Sequence, residues 1–222
     1  MSRWEIQIAL LISAGVLAIS IPPASAAESA PGVALAVLET LPVKGRAPKT
    51  GYSRAAFGQS WADVDRNGCD TRNDILKRDM NSIVYKPRTR NCVVLSGTLT
   101  DRYSGEMINF VRGNVSSMEV QIDHVVALSN SWQTGAFKLS IAQRTALAND
   151  PLNLFAVKGR LNLQKSDGDA ATWVPPMKSF RCAYVAQQIA VKAKYELWVV
   201  APEKAAMSAI LAQCPTQQVP VS

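Results

Sequence analysis

The chain has 222 residues, and its 24 lysines and arginines outnumber 17 acidic residues to give a formal net charge of +7. This length is enough for one domain with a sizeable core, and no internal repeat or low-complexity linker divides it. The positive charge favours a polyanionic partner, either nucleic acid or an acidic envelope surface, without distinguishing the two. A single histidine and the lack of any Cys-x-x-Cys pair disfavour a zinc ribbon and a zinc site built from imidazoles.

Residues 1–26 have the pattern of an export signal and are left out of the fold prediction. Arg3 provides a thin positive end, Ile6 to Ile21 is an apolar run without charge, and Ala24-Ser25-Ala26 matches a small-x-small cleavage site. The run is shorter than the ~20 residues that a membrane-spanning helix needs. We therefore predict a secreted or envelope protein without stable membrane insertion after cleavage, and retention of the segment as an anchor stays open.

The mature chain begins with a helix and a basic loop. Apolar residues recur at helical spacing from Glu28 to Leu41, and Pro42 ends the pattern. A loop rich in Gly, Pro and Ser follows, and it carries Lys44, Arg46 and Lys49. These cations are either solvated surface charges or phosphate contacts, and the sequence leaves both readings open.

Two strands are predicted in the middle of the chain. Cys92 to Leu99 has strand composition and leads to a turn at Asp101 to Gly105. From Met118 onwards apolar and polar residues alternate, which is the period of a half-buried strand. This second strand ends at Asp123-His124, so the only histidine lies at its carboxyl end.

The rest of the chain is predicted to be mainly helical, with one further short strand. The predicted helices are Ala127–Ala136, Ser140–Ala148, Arg160–Lys165, Arg181–Tyr195 and a last one from Pro202, and the strand is Asn153–Val157. Ser140 is a plausible N-cap, and Pro151 ends the helix that it begins, because proline cannot donate a backbone hydrogen bond.

Four cysteines in an exported chain predict two disulfides. They are Cys69, Cys92, Cys182 and Cys214. Four cysteines permit three pairings, which the sequence does not settle. We choose Cys69–Cys92 and Cys182–Cys214 because each bond joins neighbouring segments, and the second would clamp a helical hairpin over 181–214.

The segment from Val120 to Asp169 resembles the HNH nuclease motif, or ββα-metal fold. In that motif a strand ends in Asp-His, an Asn begins a second strand, and a helix presents a further Asn or His. Asp123-His124, Asn153 and Asn162 follow this order. The nine-residue step between the two asparagines is similar to that in HNH domains of CRISPR effector nucleases.

The resemblance extends over roughly residues 33–214 to the secreted HNH family related to the GmrSD restriction endonuclease C-terminal domain. The segments that carry it are GCDTRNDILKRD (68–79), IDHVVALSNSWQTGA (122–136), NDPLNLFAV (149–157) and RCAYVAQQIAVKAKY (181–195). It implies an α+β protein in which a ββα-metal core, 118–169, lies within a mainly helical, disulfide-bonded single domain, 27–222.

The resemblance also implies a role for each motif residue. His124 would be the general base, since free imidazole titrates near ~6.5. Asp123 and the amide oxygen of Asn162 would hold a divalent cation, Mg²⁺ or Mn²⁺, and Asn153 would brace the loop that bears the base. Side chains of adjacent residues in a strand diverge, so Asp123 can face the cation while His124 faces water.

We therefore predict an exported, metal-dependent HNH endonuclease of low sequence specificity, with DNA favoured over RNA as the substrate. Its phosphate contacts are predicted at five cations: Lys165, Arg160, Lys44, Arg46 and Lys49. No helix-turn-helix or finger motif is present to read bases. The alternatives are a non-catalytic envelope module on the same scaffold and a hydrolase of another phosphodiester. Protein partners are not predictable from this sequence.

Overall fold

Two small antiparallel sheets and seven α-helices form residues 32–113 and 118–221, the part of the chain that this computed structural model describes. The strands are β1 Met80–Tyr85, β2 Val94–Thr100, β3 Met107–Val111, β4 Val120–His124 and β5 Leu154–Lys158. The helices are α1 Ala34–Thr40, α2 Thr71–Asp79, α3 Leu128–Gln133, α4 Ile141–Asn149, α5 Gly159–Lys165, α6 Arg181–Lys194 and α7 Ala201–Leu211. The mixed α/β class is confirmed, whereas the predicted export signal lies outside the described residues.

The first sheet has the order β1-β2-β3 and packs against α2. Asp70 caps α2 by accepting a hydrogen bond from the Asn73 backbone N–H at 2.8 Å, which satisfies one of the free donors of the first turn. The predicted strand from Cys92 corresponds to β2. Helix α2 and strands β1 and β3 were not predicted from the sequence.

The second sheet pairs β4 with β5, and both of its faces are buried. Register places Asp123 opposite Phe155 and His124 opposite Leu154. Because side chains alternate along a strand, one face carries Asp123 and Phe155 and the other carries His124 and Leu154. The Phe155 face packs against the cluster that contains α6, and the Leu154 face packs against the cluster that contains α2.

Side chains from α2 close the outer edge of β5. The Asp79 carboxylate accepts a hydrogen bond from the Ala156 N–H at 2.9 Å, and the Arg78 guanidinium donates to the Leu154 carbonyl at 2.6 Å. An open edge would leave these backbone groups unpaired and exposed to another strand. The edge of β5 that does not pair with β4 is therefore also hydrogen-bonded, through side chains of α2.

Helix α5 begins directly where β5 ends, and Gly159 makes that junction possible. Its N–H donates to the Glu119 carbonyl at 2.8 Å, so the helix starts against the residues that precede β4. A Cβ at position 159 would lie 1.9 Å from the Met118 carbonyl oxygen. Only glycine permits this approach, and α5 then lies across the β4–β5 pair.

The predicted disulfides are both confirmed. Cys69–Cys92 joins the segment before α2 to the segment before β2. Cys182–Cys214 joins the start of α6 to the residue stretch that follows α7, so the helical hairpin over 181–214 is closed as expected. None of the described helices combines the length and the apolar character that crossing a membrane requires.

Removing either disulfide should destabilise the protein by a similar amount. The bridged residues are 23 and 32 positions apart, and loops of that length correspond to about 3.5 kcal/mol each in the chain-entropy account. We expect Cys69→Ser/Cys92→Ser and Cys182→Ser/Cys214→Ser each to lower the urea midpoint, measured by circular dichroism. Unchanged midpoints in both double variants would contradict a stabilising role.

Candidate active site

His124 ends β4 with its side chain on the face opposite to that of Asp123. The imidazole is buried, with 8% of the residue exposed, and its Nε2 lies 2.9 Å from the Ala148 carbonyl oxygen near the end of α4. A carbonyl oxygen only accepts hydrogen bonds, so in the neutral ring Nε2 carries the hydrogen. The lone pair is then on Nδ1, which is the atom left to take up a proton.

The His124 ring lines a small, partly open pocket. One wall is the 3-10 turn Arg54–Phe57 with the loop after it, and the other is the end of α4. Trp61 stacks over the imidazole with ring centroids 6.1 Å apart and planes inclined by 17°. Trp61 was not predicted as a site residue, because no local pattern links it to a histidine 63 positions away.

Burial lowers the pKa of His124 from 6.5 to about 4. The hydrogen bond to Ala148 acts in the opposite direction, and the positive charges of Arg54 and Lys165 lower the pKa further. Burial is the largest of these causes. The imidazole is consequently neutral at physiological pH.

Asp123 is buried on the other face, with 3% of the residue exposed, and both of its carboxylate oxygens are hydrogen-bonded. Oδ1 accepts from the Lys165 ammonium at 2.9 Å, and Oδ2 accepts from the Tyr103 hydroxyl at 2.5 Å. Burial raises the pKa of Asp123, while Lys165 and Tyr103 counteract that effect. Tyr103 comes from the segment between β2 and β3, which was predicted from the sequence only as a turn.

Lys165 connects α5 to both residues of the Asp-His pair. Only 2% of it is exposed, and its ammonium also donates to the His124 carbonyl oxygen at 2.8 Å. The lysine was predicted to contact phosphate, and it would have to leave this position to do so.

Asn162 of α5 lies on the same face of β4 as Asp123, beside Gln121, which is two residues before Asp123 in the strand. Its Nδ2 donates to the Gln121 side-chain oxygen at 2.9 Å, so the structure joins Asn162 to Gln121 and Lys165 to Asp123. Because the amide nitrogen makes this contact, the side-chain oxygen is the atom of Asn162 that could bind a cation.

A carboxylate and an amide oxygen are the donor atoms that Mg²⁺ and Mn²⁺ prefer. The described residues contain no cluster of three or more His, Cys, Asp and Glu side chains able to hold a metal ion. The position beside Asp123 Oδ1 already favours a positive charge, because the Lys165 ammonium is held there by two oxygens. Asp123 and Asn162 thus offer oxygens of the type that such a cation prefers, and at Asp123 Oδ1 a cation would have to displace the Lys165 ammonium.

Asn153 fixes the loop that follows His124. It is fully buried, its Oδ1 accepts from the Val126 N–H at 2.8 Å, and its Nδ2 donates to the Val126 and Leu147 carbonyls at 3.4 and 3.3 Å. The amide thus bridges the chain just after β4 to the end of α4, where Ala148 holds the imidazole.

Three of the predicted phosphate contacts already have partners. Arg46 pairs with Asp169 at 2.5 Å, Lys49 pairs with Asp167 at 2.6 Å, and Lys44 lies 5.4 Å from the Trp198 ring centre. Arg46 and Lys49 line an open groove that also reaches Lys165 and shares no lining residue with the His124 pocket. Arg160 is exposed on α5.

The fold and this site define a disulfide-bonded α/β protein with a buried Asp-His pair at a strand end. The chain matches the family of GmrSD restriction endonucleases, C-terminal domain, over residues 70–210. It is also 34% identical over 197 residues, 88% of each chain, to a protein of Arthroderma benhamiae named "Uncharacterized secreted protein". The chain therefore belongs to the GmrSD C-terminal domain family. No solved structure matches it.

The lowered pKa of His124 should make stability depend on pH. Between pH 6.5 and 4 the unfolded chain binds a proton that the folded chain does not, so the free energy of unfolding falls as pH drops through this window. The loss at pH 4 is about 3 kcal/mol. In His124→Gln, which keeps a donor for Ala148, we expect this part of the pH dependence to vanish in urea unfolding at pH 4 to 7. Parallel pH curves for the two proteins would contradict the shift.

The Asp123–Lys165 pair gives a second prediction. Lys165→Met leaves a buried carboxylate without its counter-charge and should cost about 3–5 kcal/mol of stability. The double variant Asp123→Asn/Lys165→Met should recover part of that loss, since the buried charge is gone. Equal losses in the two variants, measured by urea unfolding, would show that the ion pair is not the cause.

Proposed function

We propose that this protein is an exported, metal-dependent HNH endonuclease that hydrolyses phosphodiester bonds of nucleic acid, with DNA favoured and low sequence specificity. Membership of the GmrSD C-terminal domain family supports nuclease-type chemistry. The observation that carries the proposal is the imidazole of His124, which is fixed through Nε2 and has Nδ1 available inside a pocket.

The order of elements supports the HNH assignment. β4, β5 and α5 follow the strand, strand and helix of the ββα-metal motif, with Asp123-His124 ending the first strand. Asn153 precedes the second strand, and Asn162 lies on the helix. These are the motif positions at which the sequence resemblance assigned the base, its brace and the two metal ligands.

The protein's own residues account for proton transfer. His124 is neutral at physiological pH because burial lowers its pKa, so Nδ1 can accept the proton of an attacking water. Asn153 and Ala148 keep the ring and its loop in place during that transfer. Asp123 and Asn162 would hold Mg²⁺ or Mn²⁺, which when bound supplies charge relief on the phosphoryl oxygens and the leaving oxygen.

Two observations support export. The Arthroderma benhamiae relative is named a secreted protein. Both disulfides are of the kind that form and persist in an oxidising compartment. Together with the apolar N-terminal run, they favour a protein that works outside the cytoplasm.

The purified exported protein should cleave plasmid DNA with Mg²⁺ or Mn²⁺ and lose this activity in EDTA. His124→Ala should lower the rate by about 10² to 10⁴, the usual contribution of a positioned general base. Asn162→Ala should also lose activity and require more cation for what remains. Asn81→Ala, on an exposed position of β1, is the matched control and should cleave like the wild type.

Parallel assays on RNA and on a small phosphodiester define the substrate class. Wild-type rates in EDTA would remove the cation from the mechanism. Wild-type rates in His124→Ala would remove the histidine. Failure of the protein to cleave any of the three substrates with either cation would overturn the proposed function.

A further inference from the structure

The residues proposed for hydrolysis leave unexplained the open groove beside α5. Arg46 and Lys49, in the loop after α1, form one wall, and residues 164–173, from the end of α5 onwards, form the other. The Lys165 side chain is fully buried against Asp123, so its ammonium does not reach the groove. The first wall lies outside residues 70–210, over which the chain matches the GmrSD C-terminal domain family.

Hydrogen bonds fix the first wall in place. The Ala47 N–H donates to the Gln133 carbonyl oxygen at 2.9 Å, and the Trp198 indole N–H donates to the Gly45 carbonyl oxygen at 3.0 Å. These bonds hold the loop on both sides of Arg46. A ligand would therefore enter a groove that is already formed, which lowers the cost of binding.

Gln133 places an acceptor at the base of the groove. Only 7% of the residue is exposed, and its Nε2 donates to the Ser129 carbonyl and hydroxyl oxygens at 3.0 and 3.4 Å. These acceptors fix the orientation of the amide, because its nitrogen must face them. Within the described part of the chain no group donates to Gln133 Oε1, and this oxygen is reachable from solvent, unlike the enclosed Oδ1 of Asn149. It can accept a hydrogen bond from a ligand.

Arg46 and Lys49 have unused donors in the groove. Lys49 donates to Asp167 at 2.6 Å, and Arg46 donates to Asp169 at 2.5 Å. An ammonium has three N–H donors and a guanidinium has five, so each side chain can also bind an anionic ligand. The two carboxylates offset two positive charges, so net charge alone would not hold a ligand here.

Trp173 adds a flat apolar surface. Its ring is fixed by edge-to-face contacts with Tyr103 and Tyr184, whose ring centroids lie 5.1 and 5.8 Å away. A ligand that uses the whole groove needs a planar part, a hydrogen to donate to Gln133 Oε1 and an anionic group for Lys49. Inorganic phosphate has no planar part, and a neutral sugar has no anionic group. A nucleotide has all three features.

We propose that this groove is a nucleotide-binding subsite, in which the base lies against Trp173 and donates to Gln133 Oε1 while the phosphate contacts Lys49 and Arg46. The inference rests on the proposed hydrolysis of nucleic acid, because a nucleotide of the bound strand would occupy the groove. Every DNA base carries an N–H donor on its pairing edge, so the contact with Gln133 does not select one base. Stacking on an aromatic ring is equally tolerant of sequence.

The phosphate contact is tested by binding in EDTA, without turnover. Fluorescence anisotropy measures the affinity for a labelled single-stranded thymidine octamer. Lys49→Gln/Asp167→Asn keeps the net charge of the wild type but removes the ammonium, and we expect about tenfold weaker binding from the loss of one charge-assisted hydrogen bond. Lys44→Gln is the matched control and should bind like the wild type, since Lys44 lies in the same loop over the Trp198 ring and does not line the groove. Wild-type affinity in the double variant would overturn the phosphate contact.

The base contact is tested by competition. Thymidine monophosphate should displace the octamer from the wild type at about tenfold lower concentration than deoxyribose phosphate, which lacks the base. Equal competition by the two compounds would overturn the base contact without any variant. Gln133→Leu removes the acceptor and should narrow the preference about fivefold, the net contribution of one hydrogen bond. An unchanged preference in this variant, with near-UV circular dichroism verifying its fold, would overturn the contact with Oε1.

The same assays separate other occupants and the nuclease itself. Displacement of the octamer by chitotetraose but not by thymidine monophosphate would overturn the nucleotide in favour of a glycan. A wild type that binds the monophosphate as tightly as the octamer would overturn occupation by a strand. Cleavage by the wild type, together with wild-type binding in both variants, overturns the inference and leaves the nuclease standing. If the wild type cleaves no substrate and the variants bind as expected, the nuclease is overturned and the nucleotide subsite stands.

Discussion

The buried ion pair between Asp123 and Lys165 is the contact on which the arrangement of the site depends. The Lys165 ammonium on α5 lies 2.9 Å from Asp123 Oδ1 on β4, and it also donates a hydrogen bond to the His124 carbonyl oxygen. A buried carboxylate must be paired, so the strand is fixed with Asp123 turned towards α5. Because adjacent side chains of a strand diverge, His124 is then directed to the opposite face, where the pocket lies.

That division of faces separates two kinds of chemistry. On the side that faces α5 lie the Asp123 carboxylate, the Asn162 amide and the Lys165 ammonium, which contact one another or β4 through hydrogen bonds. The α4 side gathers the proton acceptor and the groups around it, and Asn153 connects the chain after β4 to the end of α4. Because the Lys165 ammonium also bonds the His124 carbonyl oxygen, a change in the ion pair is expected to shift the position of the imidazole.

Short-range patterns were sufficient to predict the central elements of the fold. Alternation before Asp123 predicted β4, and Ser140 predicted the start of α4, where it forms a capping box with Gln143. Of the three possible cysteine pairings, the one that joins neighbouring segments was chosen, and it is the one observed. The helix predicted over Ala127–Ala136 is split, because the chain leaves α3 after Gln133 and passes through Gly135 at a φ of 132° before a 3-10 turn. The evidence for β4 and α4 lay within a few residues of each element, whereas each disulfide joins cysteines 23 or 32 positions apart.

The surroundings of the site were not predictable in this way. Trp61, Arg54 and Tyr103 reach the Asp-His pair from distant parts of the chain, and only the tertiary fold brings them there. Lys165 was interpreted as a phosphate contact, but it is buried, and its pairing with Asp123 makes that burial tolerable. The one histidine also makes the central claim directly measurable, since imidazole nitrogen spectra contain a single side chain. In ¹⁵N NMR at neutral pH, we expect a ring protonated at Nε2 with a free Nδ1, and on acidification we expect it to titrate near pH 4. A ring protonated at Nδ1, or one that titrates near its ordinary pKa of ~6.5, would contradict it.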